Sequence, residues 1–157
     1  MELIGEEKII NAFNKWLIKY GFSARVLGID TEFCWYKDDN TIGISFFETA
    51  ETIASWNKFF IEELNCSYCL DIFYTSFFHE LGHSNTWHKV SIEDQEVDTL
   101  GLVNENYYHL PKEIIASQWA VDYINKNIDA VSELIQTVGE ALNYFFETNE
   151  LGEIEYV

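Results

Sequence analysis

Apolar residues recur along this chain with two different periods, and the alternation between those periods predicts the elements. From Glu6 to Tyr20 the positions Ile9, Ile10, Phe13, Trp16, Leu17 and Tyr20 follow helical spacing, and Gly21 supplies a stop. Short β-branched and aromatic runs follow at Ala24–Ile29 and Phe33–Tyr36. The polar turn Lys37-Asp38-Asp39-Asn40 separates the second run from a third, Thr41–Phe47. Two strands joined by a polar turn predict an antiparallel hairpin. Helical spacing returns after Thr49 with Ile53, Trp56, Phe59, Phe60 and Leu64, and Asn65 is the expected end. Leu70, Phe73, Tyr74, Phe77, Phe78 and Leu81 mark the next helix. Residues 84–110 read as irregular. Pro111 then opens a helix at its favoured first-turn position and Ile114, Ile115, Trp119 and Tyr123 continue it. A final amphipathic helix is expected from about Asp129 to Phe146, with an acidic tail at about 148–157. The predicted class is α+β: one domain over residues 1–157, with a small antiparallel sheet packed on several helices.

Composition bounds this picture without changing it. Hydrophobic residues form 48% of the 157 and aromatics 17%, enough to build a core and to argue against disorder. No apolar run reaches the roughly 18 residues that span a bilayer, and the first residues are acidic rather than a basic leader, so a cytoplasmic location is expected. Cys34, Cys66 and Cys69 are then expected as reduced thiols. Cys66-Ser67-Tyr68-Cys69 has the spacing of half a zinc knuckle, but a structural zinc needs four ligands and no second pair exists. Packing as small hydrophobes is the expectation for these cysteines.

Charge excludes more. Nine basic residues against 27 acidic ones give a net charge of −18, the wrong sign for a surface that binds a phosphate backbone. Direct nucleic-acid binding is therefore not expected. A solvated acidic surface is the plain reading; an acidic face that competes with nucleic acid for a basic protein is the sharper one.

The candidate chemistry lies in His79-Glu80-Leu81-Gly82-His83. Histidines at i and i+4 project from one helix face, one turn apart, and can reach a single ion at roughly 2.0–2.1 Å each. Glu80 stands about 100° around the helix from His79, so it can serve as general base toward water without being a ligand. A hydrolytic zinc site wants a third protein ligand and one open position. His88 misses the metzincin spacing by one residue, and Thr86 stands where that pattern has glycine. Glu113, at the start of the Pro111 helix, is the favoured third ligand. Its helix would pack on the His-Glu helix with Ala116 and Ala120 at the close crossing. Tyr107, Tyr108 and His109, just before that helix, are candidate donors to an oxyanion, although aromatic residues there more often pack.

His79-Glu80-Leu81-Gly82-His83-Ser84 followed by Glu113-x-x-Ala116-x-x-Trp119-Ala120 resembles the small gluzincin-type peptidases of the ImmA/IrrE group. It is similar also to the zincin-like domain of ArdC-type antirestriction proteins. The resemblance covers roughly residues 35–125. It implies a zincin-like fold with Zn2+ held by His79, His83 and Glu113, and Glu80 as the catalytic base. It also implies a cytoplasmic protein or peptide substrate and a phage or mobile-element origin. The hairpin with Ile42 and Ile44 is similar to the strand beside the substrate cleft in that group, and an extended substrate is expected along an exposed edge near Thr41–Phe46. The chain departs from thermolysin-like relatives at Ser117, where they carry an aspartate four residues after the ligand glutamate. Asp98 and Asp122 remain as candidate partners of the zinc histidines. The competing functional class is an acidic, non-enzymatic inhibitor or nucleic-acid-mimicking decoy that binds a host nucleic-acid-handling enzyme.

Overall fold

The structure is a computed structural model that describes residues 4–47, 49–102 and 105–149; most of the expected acidic tail lies outside the described residues. It is α+β, with seven α-helices and one three-stranded mixed sheet among the described residues. Contacts group the chain into two compact units, Met1–Phe47 with Asn127–Val157, and Glu48–Lys126. Among the described residues no helix is long and apolar enough to cross a membrane.

The first unit contains α1 (Glu6–Lys19), β1 (Arg25–Ile29), β2 (Cys34–Tyr36), β3 (Thr41–Ile44) and α7 (Ile128–Thr148). Helix α1 buries Ile9, Ala12, Phe13, Trp16 and Leu17, and α7 buries Ala130, Val131, Leu134, Val138, Leu142 and Phe145. Both stripes follow the helical period that predicts them. The Trp16 indole N–H donates to Ala130 O at 2.8 Å, which pins the two helices together. Asn14 brackets β1: its Nδ2 donates to Val26 O at 3.1 Å and its Oδ1 accepts from Val26 N at 2.7 Å.

The sheet corrects two expectations. Strand order is β1-β3-β2, with β3 parallel to β1 and antiparallel to β2. Only the β2–β3 pair is the expected antiparallel hairpin. The polar turn sets that pairing locally, whereas nothing local sets the partner of β1. Burial decides it: Ile42 and Ile44 are fully buried, so β3 takes the centre, paired on both sides. Strand β3, Thr41–Ile44, is therefore not the exposed edge expected near Thr41–Phe46. A Cβ added at Gly43 would lie 2.4 Å from the Asp30 carboxylate and 2.9 Å from Cys34 Sγ, so those two side chains would have to move aside.

The second unit is helical. Thr49 caps α2 (Ala50–Lys58), accepting from Thr52 N at 3.1 Å, and α2 runs on into a π-helical turn, Phe59–Glu63. Asn65, with φ 59°, turns the chain out of that helix. Asp71 caps α3 (Ile72–Thr86), and a 3₁₀ turn, Trp87–Lys89, follows. The stretch expected as irregular also contains two one-turn helices, α4 (Ile92–Gln95) and α5 (Glu105–Tyr108). Pro111 begins α6 (Pro111–Lys126), as its fixed φ and missing N–H favour. Cys66 is buried and Cys69 exposed; the Cys66 thiol points to Tyr68 O at 3.3 Å.

Candidate metal centre

Helix α3 is buried on almost every side, from Ile72 through His83. Phe73, Phe77, Phe78 and Leu81 are at most 1% exposed, and this apolar packing fixes the helix that carries His79, Glu80 and His83. Helix α6 crosses α3 at Gly82. A Cβ on Gly82 would lie 2.2 Å from Ala116 O, so only glycine lets the two backbones approach this closely. Ala116 and Ala120 are both fully buried, as a close crossing requires. This contact brings the first turn of α6, and Glu113 with it, to the His79–His83 face.

Three donor atoms converge there. His79 Nε2 lies 3.1 Å and His83 Nε2 3.0 Å from Glu113 Oε1. One ligand atom from each residue lies within 4.8 Å of the others, and all three residues are buried. Bond lengths of 2.0–2.1 Å in a tetrahedron put neighbouring ligand atoms about 3.3 Å apart, close to the spacing found. Two imidazoles and a carboxylate of this size and separation could hold a metal ion. Among the described residues no other group of three His, Cys, Asp or Glu side chains could do so. His88 sits exposed on the 3₁₀ turn and takes no part, as its spacing predicts.

Electrostatics at the triad follow from burial and pairing. Burial opposes charge on Glu113, but hydrogen bonds from His79 and His83, with their charge, outweigh it and hold its carboxyl well below the usual carboxylate range. Burial likewise opposes charge on His83, yet its hydrogen bond to Glu113 and the nearby charge of Glu80 push its pKa above the ordinary histidine value. Glu80, next to His79 on α3, is itself 8% exposed.

The surrounding residues orient the triad. Ser117 Oγ lies 2.8 Å from His79 Nδ1, and Ser117 is fully buried. Trp56 meets the His79 ring edge-on with centroids 4.8 Å apart, and Tyr108 and Phe59 pack behind it. Of the three aromatic candidates before α6, one reaches the site: the Tyr107 hydroxyl donates to Glu113 Oε1 at 2.8 Å. Tyr108 is core, and His109 pairs with Glu63 at the surface. Neither candidate aspartate supports a ligand. Asp98 is exposed and accepts from Leu100 N; Asp122 is exposed and pairs with Lys126 one turn on. Ser117 takes that place instead, one helical turn after Glu113. A search for a carboxylate passes over it, while its i+4 spacing from Glu113 is the signal that finds it. Trp56 carries no comparable signal.

No protein-family model, curated protein or solved structure matches this chain.

Proposed function

We propose that this chain is a zinc-dependent metallopeptidase of zincin-like fold, with His79, His83 and Glu113 as ligands and Glu80 as general base. The observation that carries the reading is the convergence of three buried donor atoms from two crossing helices, with a second acidic side chain, Glu80, on the same helix as the histidines. Two imidazole nitrogens and one carboxylate oxygen are the donor set that suits zinc in hydrolytic sites. Zinc held there would supply a Lewis acid for a peptide carbonyl and for water.

The chain's own residues do the rest. Glu80 takes a proton from the attacking water and delivers it to the leaving nitrogen. Ser117 and Trp56 hold the His79 ring in place. Tyr107, whose hydroxyl is already at the triad, is the donor available to the oxyanion of the tetrahedral intermediate. The substrate is a protein or peptide, as the resemblance of the two short motifs implies.

Zinc content and peptidase activity of the wild type and Glu80→Gln test this together. The expected result is stoichiometric zinc in both, with hydrolysis reduced roughly 10²–10⁴-fold in the variant. A wild type that takes up no zinc, or a fully active Glu80→Gln, would overturn the reading. The net charge of −18 supports the acidic-inhibitor alternative. Biological activity that survives Glu80→Gln but is lost on charge reversal of the acidic surface would select it.

A further inference from the structure

Helices α1 and α7 run antiparallel in the first unit. Lys8 Nζ lies 3.9 Å from the centre of the Tyr144 ring at one end, and Lys19 pairs with Glu133 at the other. Between those ends the two helices leave a surface groove. One stretch of about 360 Å³ is lined by Lys8, Ala12 and Lys15 of α1 and by Thr137, Glu140, Ala141 and Tyr144 of α7. A second stretch of about 210 Å³ continues it past Lys15 and Thr137, which line both, to Lys19 and Glu133. Residues four and seven apart share a helix face, so Lys8, Ala12 and Lys15 form one wall and Thr137, Ala141 and Tyr144 the other. From Lys8 to Lys19 the groove follows about 16 Å of helix.

Shape, hydrogen bonding and charge each limit what fills it. Ala12 is 9% exposed and Ala141 half-buried, and a methyl is all that either puts on the floor, so a third backbone can come close. Helix interiors keep their backbone groups to themselves, so an extended peptide laid here finds no backbone partners. A helix satisfies its own backbone and matches a groove between two helices. The walls differ in charge. Lys8 and Lys15 stand exposed on α1, two turns or about 10 Å apart, and Glu140 stands exposed on α7. Lys8, Lys15 and Lys19 are three of nine basic residues in a chain of net charge −18. A basic ligand meets acid almost anywhere on such a surface, whereas the α1 wall selects carboxylates. A helix of a single charge meets its like on one wall or the other.

We propose that the α1–α7 groove docks one amphipathic helix of a partner protein, with small side chains on the floor, acidic ones along the α1 wall and basic ones along the α7 wall. Two of its carboxylates lie two turns apart, to match Lys8 and Lys15, and a basic side chain across from them meets Glu140. The lysine stems and the Tyr144 ring add apolar contact beneath the charges. The groove lies wholly within the first unit, and the inference does not depend on the metal reading.

The probe is a synthetic helix of roughly 14 residues, four turns, with alanine on one face, glutamate along one flank and lysine along the other. A control helix carries lysine along both flanks. Each is titrated into the nitrogen-15-labelled full chain and followed by amide chemical shifts. The expected result is shifts from the mixed helix confined to α1 and α7, with binding weakened about tenfold by Lys8→Glu together with Lys15→Glu. Glu140→Lys should weaken it about two- to fivefold. The glutamate pair should leave the all-lysine helix bound at least as well, because it adds negative charge. No binding of the mixed helix at millimolar concentration overturns the proposal. So do shifts that spread over the acidic surface as the control's do, or a glutamate pair that binds the mixed helix as tightly as the wild type. Groove shifts that grow with protein concentration alone assign the surface to a second copy and overturn it too. If the glutamate pair unfolds the chain, Lys8→Ala with Lys15→Ala takes its place, alanine being the best helix former. Unchanged binding in that variant overturns the proposal, and a severalfold loss supports it.

Discussion

The unit built on α1, the sheet and α7 and the unit built on α3 and α6 both have aromatic cores, but they bury different chemistry. In the first, the helices place apolar side chains inward and leave their charges outside: Lys19 pairs with Glu133 at the surface, and the Lys8 ammonium lies over the Tyr144 ring. Ser45 is the buried polar side chain of that unit among the described residues. In the second, Thr75, Ser76, His79, Glu80, His83, Thr86, Glu113 and Ser117 are all buried, and all lie on α3 or α6. Burying an ionised or polar group is costly unless its partners are supplied. Their concentration on one helix pair marks where the chain accepts that cost, and the shared partners at Glu113 Oε1 show how it is offset. The buried polar groups are thus concentrated in one unit, while both units bury aromatic side chains.

The largest effect is expected from the unit whose buried side chains, among the described residues, are apolar but for Ser45. Phe145 is 1% exposed and packs on Phe46 and Phe146. Phe145→Ala should cost about 3–5 kcal/mol in denaturant unfolding. Zinc stoichiometry of the protein that remains folded should be unchanged, because each side chain named at the triad belongs to the other unit. Zinc lost from folded protein would break the comparison.

Gly82→Ala tests the second unit with a single methyl. The added Cβ would meet Ala116 O at 2.2 Å, a backbone atom that cannot turn aside, so α3 and α6 must separate. A loss of about 1–3 kcal/mol is expected. Here zinc retention should fall in the protein that stays folded, since the same crossing places Glu113. Retained zinc at wild-type affinity would show that the crossing does not set the ligand spacing.

The two units also differ in how much of them is legible from sequence. Helices α1 and α7 are half-exposed, so their apolar stripes repeat with the helical period and predict them within two residues at each end. Helix α3 is buried nearly all round, yet Phe73, Tyr74, Phe77, Phe78 and Leu81 recur at helical spacing and predict it as well. Glu113 is found because Pro111 fixes where its helix begins. Ser117 is not, because serine carries no charge to mark it as a ligand's partner. The parallel pairing of β1 escapes for a different reason: a hairpin is a local property of residues 37–40, whereas the partner of β1 depends on which strand the rest of the unit buries. Helices α4 and α5 are one turn each, too short for any period to register.

Alkaline titration should separate two tyrosines, one from each unit. Burial, with the Asp71 charge adding to it, pushes Tyr74 up to about 12 from its ordinary 10.0. The neutral phenol is favoured in the folded state, so its contribution is intact below pH 10 and is lost as pH rises from 10 toward 12. The loss amounts to about 2 kcal/mol at the upper end. Tyr36 in the first unit is also raised, by its hydrogen bonds to Cys34 and Asp30, but it is 43% exposed and solvent screens the effect. Unfolding measured from pH 9 to 12 should therefore flatten for Tyr74→Phe and change little for Tyr36→Phe. Equal flattening would mean that burial is not what distinguishes them.

The smallest effect has the opposite sign and makes the closest match to Gly82. Gly139 lies inside α7, and a Cβ added there meets nothing within 4 Å. The helix then gains what alanine ordinarily gains over glycine, a lower backbone entropy in the unfolded chain and no new contact to strain the folded one. Gly139→Ala should stabilise by about 0.5–1 kcal/mol, read as a higher denaturation midpoint with an unchanged slope. The same one-methyl change is thus expected to stabilise the half-exposed α7 and to separate α3 from α6. If Gly139→Ala also destabilised, α7 would need its glycine for a contact of its own. The opposite signs would then no longer follow from the α3–α6 crossing, where backbone meets backbone for the sake of Glu113.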